Sequence, residues 1–221
     1  MCNALPSVIL AYMATLRQFK KSQIVFYQGE TSSQSFRIKK GLVRAYIIHE
    51  NGEEATVDFF GPKDIFPIAA PFSIAPIALF HYETVLDSIC ESYQAEELIE
   101  ELEREGTQQE LHRFARRYAG ALLHVASLAQ NSAYDKVAHT LRYLAISFGE
   151  RLPDGHHYKI GLRLTQHDIA KLCNMSRETA SIQLGVLKSN GIVREHGKHY
   201  VVYMDKLSVV TGDDGIAAIR L

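Results

Sequence analysis

The chain has 221 residues, 47% of them apolar and 22% charged, enough to bury a sizeable core, and this excludes the disordered and collagen-like classes. Lys and Arg number 24 against 25 Asp and Glu, a formal net charge of -1, so a uniformly basic nucleic-acid coat is excluded but a local basic patch is not. Three widely separated cysteines, Cys2, Cys90 and Cys173, argue against a disulfide framework and for a reducing compartment.

No apolar run approaches the ~18 residues that cross a bilayer. The N-terminal stretch has no basic segment before its apolar residues, so no signal peptide is expected. The chain reads as cytoplasmic, with no membrane partner. Pro6 to Leu16 reads as a short amphipathic helix with Pro in its first turn. From Gln23 to about Tyr93, short β-prone runs are punctuated by Gly29, Gly41, Gly52 and Gly61. Asn51-Gly52 between Leu42–Ile48 and Ala55–Phe60 is a strong hairpin signal. Such spacing predicts an antiparallel roll or barrel. Gln94 to Glu105, with six Glu and one Arg, reads as a solvated helical face.

Thr107 to Ser132 is a long helical segment without Pro. Leu111, Tyr118 and Val125 are seven apart, and Phe114, Ala121 and Leu128 follow each by three, an a/d series that predicts pairing with a second copy. A further helix is expected from Tyr134, with Asp135 as its N-cap, then a loop at Gly149 and Pro153-Asp154-Gly155.

The most informative stretch is Leu164 to Leu184. Thr165 is positioned to cap a helix whose apolar face is Ile169, Ala170 and Leu172. Cys173-Asn174-Met175 reads as a tight turn, since Asn tolerates the left-handed conformation. Ser176 then caps a second helix, with Thr179, Ala180, Leu184 and Leu187 inward and Ser176, Arg177, Glu178 and Ser181 outward. Two short helices across such a turn make a helix-turn-helix, whose second helix enters the major groove. Residues 160–200 carry six Lys or Arg and three acids, a local net of +3. Ile192 to Tyr203 reads as a hairpin whose tip, His196-Gly197-Lys198-His199, is a polar wing suited to phosphates.

These residues resemble the Crp/Fnr transcription regulators. The resemblance rests on Thr165-Gln166…Ile169-Ala170…Leu172, on Ser176-Arg177-Glu178-Thr179…Ser181, and on Gly191-Ile192-Val193. It is weaker in Gln28-Gly29-Glu30, Lys40-Gly41-Leu42-Val43 and Phe60-Gly61-Pro62-Lys63-Asp64. It implies an α+β chain: a jelly-roll-like β-roll over 1–106, a dimerisation helix and hinge over 107–134, a winged helix-turn-helix over 135–207 and a tail over 208–221. It further implies a homodimer on a two-fold symmetric double-stranded DNA operator, with RNA polymerase as a partner. DNA contacts are then expected from Thr165, Gln166, Ser176, Arg177, Glu178, Thr179, Ser181, Ile182 and Lys198. Where the family uses a second Arg to read a guanine, this chain has Ile182.

The chain also departs from the cyclic-AMP-binding pattern. The family's Gly-Glu pair falls at Pro67-Ile68 and its Arg-Ser pair near Phe80-His81, so carboxylate and guanidinium are both missing. A buried phosphate there would be an unpaired charge. Cys2 alone cannot replace the N-terminal cysteine cluster of iron–sulfur members, which need four thiolates. A small apolar effector among Pro67, Ile68, Phe80, His81, Tyr82 and His124, or a filled roll with none, is preferred over haem on His81 or His124, and no cofactor or metal is expected. The rival classes are a cupin-like metal enzyme, disfavoured because no His-x-His occurs in the chain, and a regulatory scaffold that has lost DNA binding.

Overall fold

The computed structural model describes residues 15–69, 71–72 and 74–212. Of the helix expected over 6–16, residues 6–14 lie outside the described residues. Residues 15 and 16 instead open the first strand, β1 (Thr15–Phe19), which pairs antiparallel with β8 (Ser88–Gln94). Between them run β2 (Ile24–Phe26), β3 (Gln34–Lys40), β4 (Val43–Ile48), β5 (Glu54–Phe60), β6 (Ile65–Phe66) and β7 (His81–Thr84). Two four-stranded sheets result, in the orders β1-β8-β3-β6 and β2-β7-β4-β5. The β4–β5 hairpin turns at Asn51-Gly52, as the sequence predicts, with Ile48 opposite Glu54. Rings fill the space between the sheets: Phe36 and Phe66 lie 5.8 Å apart, and Phe66 and Tyr82 5.5 Å.

The acidic segment is α1 (Ala95–Glu105), and it is not solvated all round. Leu98 and Leu102 are buried against Ile65 and Tyr93, because the Glu side chains occupy only the outer face. α2 (Thr107–Leu128) ends four residues earlier than the sequence suggests, before Ser132 caps α3 (Ala133–Phe148). Asp135 is therefore not the N-cap. Its backbone N–H donates to Ser132 Oγ at 3.0 Å, so the serine does the capping. The loop expected at Gly149–Gly155 is instead a hairpin, β9 (Gly149–Arg151) with β10 (His157–Ile160), turned at the Pro-Asp-Gly run.

The C-terminal part continues with α4 (Gln166–Leu172), α5 (Arg177–Ser189), β11 (Val193–His196), β12 (His199–Tyr203) and α6 (Met204–Thr211). The sheet order β11-β12-β10-β9 backs the two helices. α6 carries ordered chain beyond Leu207, so part of the tail is helical; residues 213–221 lie outside the described residues.

One apolar core runs through the whole described chain. It joins Leu42 and Phe59 of the roll, Leu141 and Leu144 of α3, Ile169 and Leu184 of the helix pair, Val202 of β12 and Leu207 of α6. Gly61 is needed where the two parts meet: a Cβ there would lie 2.2 Å from a ring carbon of Phe148. His124 of α2 is wholly buried in this junction, its ring 4.4 Å from Phe59 and 5.8 Å from Tyr143.

Polar contacts also bind α4 to the roll. Lys21 Nζ reaches Asp168 at 2.7 Å, and Lys171 Nζ donates to Glu83 at 3.0 Å. Asn174 makes two bonds to one residue of β5: its Oδ1 accepts from the Thr56 N–H at 2.6 Å and its Nδ2 donates to the Thr56 carbonyl at 2.9 Å. Burial raises the Glu83 carboxyl, but hydrogen bonds from Arg44 and Lys171 outweigh it and hold the group below the usual carboxylate range.

Two outcomes are expected. Burial, with Arg117 nearby, lowers His124 from 6.5 to about 3, so the unfolded chain binds a proton that the folded chain refuses. Stability therefore falls as pH drops below 6.5, and the loss continues down to about 3. Denaturant unfolding should show native protein losing about 2 kcal/mol more than His124→Phe between pH 7 and 5; parallel curves would show that His124 is not the buried neutral group. In the second, Asn174→Gly keeps the left-handed backbone but deletes both bonds to Thr56, so the Thr56 amide should exchange with solvent about tenfold faster. An unchanged rate would show that the docking does not depend on Asn174.

Candidate nucleic-acid interface

The interface is built by two capped helices. Thr165 Oγ1 accepts the Asp168 N–H at 3.2 Å, and Asp168 accepts the Thr165 N–H at 2.8 Å, a reciprocal cap that fixes the start of α4. Asn174 sits at φ 51°, the left-handed turn anticipated for it. Ser176 Oγ accepts the Thr179 N–H at 3.1 Å and starts α5. Ala170 and Ala180, both buried, let the two helices approach closely.

The inner face of α5 is Ala180, Leu184 and Leu187. Thr179, expected among them, is only half-buried because its hydroxyl stays with Ser176 at 2.9 Å. On the outer face Ser176, Arg177 and Glu178 are exposed at the first turn, and Ile182, 63% exposed, lies one turn on. Ser181 is half-buried beside them. Thr165, Gln166, His167 and Arg177 line one shallow depression of about 530 Å³ between the starts of the two helices. His167 was not singled out from the sequence, nor was Val186, exposed one turn beyond Ile182. The i, i+4 spacing of Ile182 and Val186 was the available signal.

The wing forms as expected. His196 pairs with His199 across Gly197-Lys198, with Gly197 at φ 61° and Lys198 exposed at the tip. Lys188 Nζ holds Glu195 at 2.6 Å, tying the end of α5 to the wing strand.

The six residues expected to line an effector pocket are not brought together. Phe80 and Tyr82 pack into the roll interior with Phe66. His81, next to Tyr82 on the same strand, points to the opposite face. There it stacks on Tyr46 at 5.0 Å, and its Nδ1 accepts the Gln28 N–H at 3.2 Å. His124 is occupied by the Phe59–Tyr143 stack, Pro67 is buried with its carbonyl accepting from Ser35 Oγ at 2.6 Å, and Ile68 lies near α2. Burial pushes the Tyr82 hydroxyl up to about 12, and the Cys90 and Cys173 thiols to about 12 as well. Among the described residues no group of three or more His, Cys, Asp or Glu could hold a metal ion, and no helix is long and apolar enough to cross a membrane.

The a/d series on α2 divides differently from its sequence reading. Phe114 packs toward Leu98 and Leu102, and Ala121 and Leu128 are half-buried. Leu111, Tyr118 and Val125 are exposed, joined by Leu122. The exposed stripe is thus built from the a positions and the residue four on from Tyr118, because the i+3 positions turn toward the chain's own α1 and roll.

Two family models match. The cyclic nucleotide-binding domain covers residues 16–105 and the Crp-like helix-turn-helix domain covers residues 135–209. The global nitrogen regulator of Synechococcus elongatus is 23% identical over 193 residues, covering 85% of each chain. The regulatory protein HlyX of Actinobacillus pleuropneumoniae is 27% identical over 201 residues, covering 86% of this chain and 79% of its own. A Crp-family regulator from Thermus thermophilus superposes with a TM-score of 0.68 at 18% identity, over 89% of this chain and 97% of its own. FixK2 from Bradyrhizobium japonicum gives 0.66 at 22%, over 89% and 96%. These matches do not favour the enzyme reading. The chain belongs to the Crp/Fnr family of DNA-binding transcription regulators.

Proposed function

We propose that two copies of this chain pair through α2 and place two α5 helices in successive major grooves of a two-fold symmetric operator. The observation that carries this is the exposed face of α5, Arg177, Glu178 and Ile182, held at the start of a capped helix with no apolar partner of its own. Arg177 is suited to the O6 and N7 of guanine, and Glu178 accepts from a cytosine amine. Ile182 and Val186 have no hydrogen bond to give, and they fit thymine methyl groups. Thr165, Gln166, Ser176, Thr179 and Ser181 border the groove, and Lys198 and the wing lie along phosphates. Half-sites then fall about one helical turn apart.

Pairing uses the stripe Leu111, Tyr118, Leu122 and Val125, with Phe114, Ala121 and Leu128 at its flank. Tyr118 is 68% exposed in the single chain, and a second copy of the same helix buries it. Cyclic AMP is not the effector in this reading: Pro67-Ile68 and Phe80-His81 supply neither carboxylate nor guanidinium, and aromatic rings fill the roll. Haem is not held either, since His81 and His124 lie in separate stacks. The protein acts in the cytoplasm, with RNA polymerase as its protein partner. The scaffold reading is separated from this one by salt: phosphate neutralisation gives a steep loss of duplex affinity with ionic strength, and a scaffold gives none.

Three measurements follow this reading. Leu122→Asp with Val125→Asp places like charges across the seam, so light scattering should report monomer, and a retained dimer would put the seam elsewhere. Arg177→Ala should cost about 1–3 kcal/mol on the specific site, whereas Lys198→Ala should weaken all duplexes alike. Selection from a random-sequence library should yield A·T or no preference opposite Ile182 in the native chain and guanine with Ile182→Arg. Identical selected bases from both proteins would show that this residue does not read the operator.

A further inference from the structure

The geometry points to a binding site for an organic oxyanion, a charged head on an apolar body, in the cleft between the β5–β6 loop, α2 and α3. The cleft holds about 480 Å³ and lies outside the aromatic interior of the roll. Its walls carry Lys63, Arg113, Arg116 and Arg117 against one carboxylate, Asp64, in a chain whose net charge is -1. Arg117 is already engaged: it pairs with Asp58, its Nε lies 3.7 Å from Asp64, and its Nη2 donates to the Phe59 carbonyl at 3.0 Å. The positive excess is therefore that of Lys63, Arg113 and Arg116. Arg113, Arg116, Arg117 and Gly120 follow the i, i+3, i+4, i+7 spacing of one helix face. That face lies opposite the stripe of Leu111, Tyr118, Leu122 and Val125, so a second copy on the stripe leaves the cleft open.

The remaining walls set the rest of the ligand. Phe148, Leu162 and the bare backbone of Gly120 and Gly161 are apolar, and Tyr143 and Ser147 add hydroxyls. Burial pushes Tyr143 up to about 12, so its hydroxyl remains a neutral donor across the physiological range. Clustered guanidinium groups favour phosphate or paired carboxylate heads, which accept bidentate hydrogen bonds. A ligand here touches the roll through Lys63, the long helix through Arg116 and the C-terminal part through Leu162. It is thus placed to act as an effector, a role that rests on the regulator reading above.

Calorimetry of the full chain with phenyl phosphate is the test, with inorganic phosphate and phenol as the two half-ligands. One saturable site per chain is expected, about tenfold or more tighter for phenyl phosphate than for either half, and weakened about tenfold by Arg113→Gln with Arg116→Gln. No saturable binding at millimolar ligand overturns the site. So does equal binding by the double variant, or a half-ligand that binds as tightly as the whole. Bound phenyl phosphate should also shift duplex affinity in the native chain but not in the double variant, and an unchanged affinity overturns the effector role. Failure of the regulator reading is distinguishable, since duplex binding would then be absent with or without the ligand.

Discussion

Arg117 fixes the rotation of the long helix. Its guanidinium, only 18% exposed, is held between Asp58 at the end of β5 and Asp64 beyond it. Breaking a largely buried ion pair by removing one partner leaves a desolvated charge and costs several kcal/mol, so α2 cannot turn about its axis without losing this contact. Gly120 and His124 follow on the same face and pack on Tyr143 and Phe59. With that face held inward, residues about half a turn away must face out. One contact thereby sets the apolar stripe for a second copy, the basic wall of the cleft and the position from which α3 leads into the DNA-binding part.

The DNA-binding part is not an independent module on a tether. The core is continuous from Phe59 to Leu207, and several groups serve two purposes. Asp168 caps α4 and pairs with Lys21 of the roll. Asn174 supplies the left-handed turn of the helix pair and binds both polar backbone groups of Thr56. Glu83 receives Arg44 from within the roll and Lys171 from α4. Because the turn before the recognition helix is bonded to β5, a rearrangement in the roll alters the placement of Arg177 and Ile182. This is a physical route by which a sensing roll can bias DNA binding.

Local signals in the sequence carried the helix pair, the wing and the Asn51-Gly52 hairpin, because each depends on caps, turn residues and short-range periodicity. The same cues misplaced the cap of α3, where Ser132 and Asp135 are both good capping residues and only the backbone geometry separates them. β1 was hidden because Thr15–Phe19 is mostly exposed and shows no alternation. The effector residues near Phe80 failed for a topological reason. Alternation along β7 sends His81 and Tyr82 to opposite faces, so neighbours in sequence became parts of different environments. The basic cleft was invisible because Lys63, Arg116 and Leu162 meet only after the roll, α2 and the C-terminal part have packed.

The pairing of two recognition helices on one duplex is tested most directly by the mass of the complex. Native mass spectrometry of the full chain, mixed with a duplex obtained by selection, should give two chains per duplex, with no one-to-one species persisting as protein is increased. A complex that saturates at one chain per duplex would contradict it.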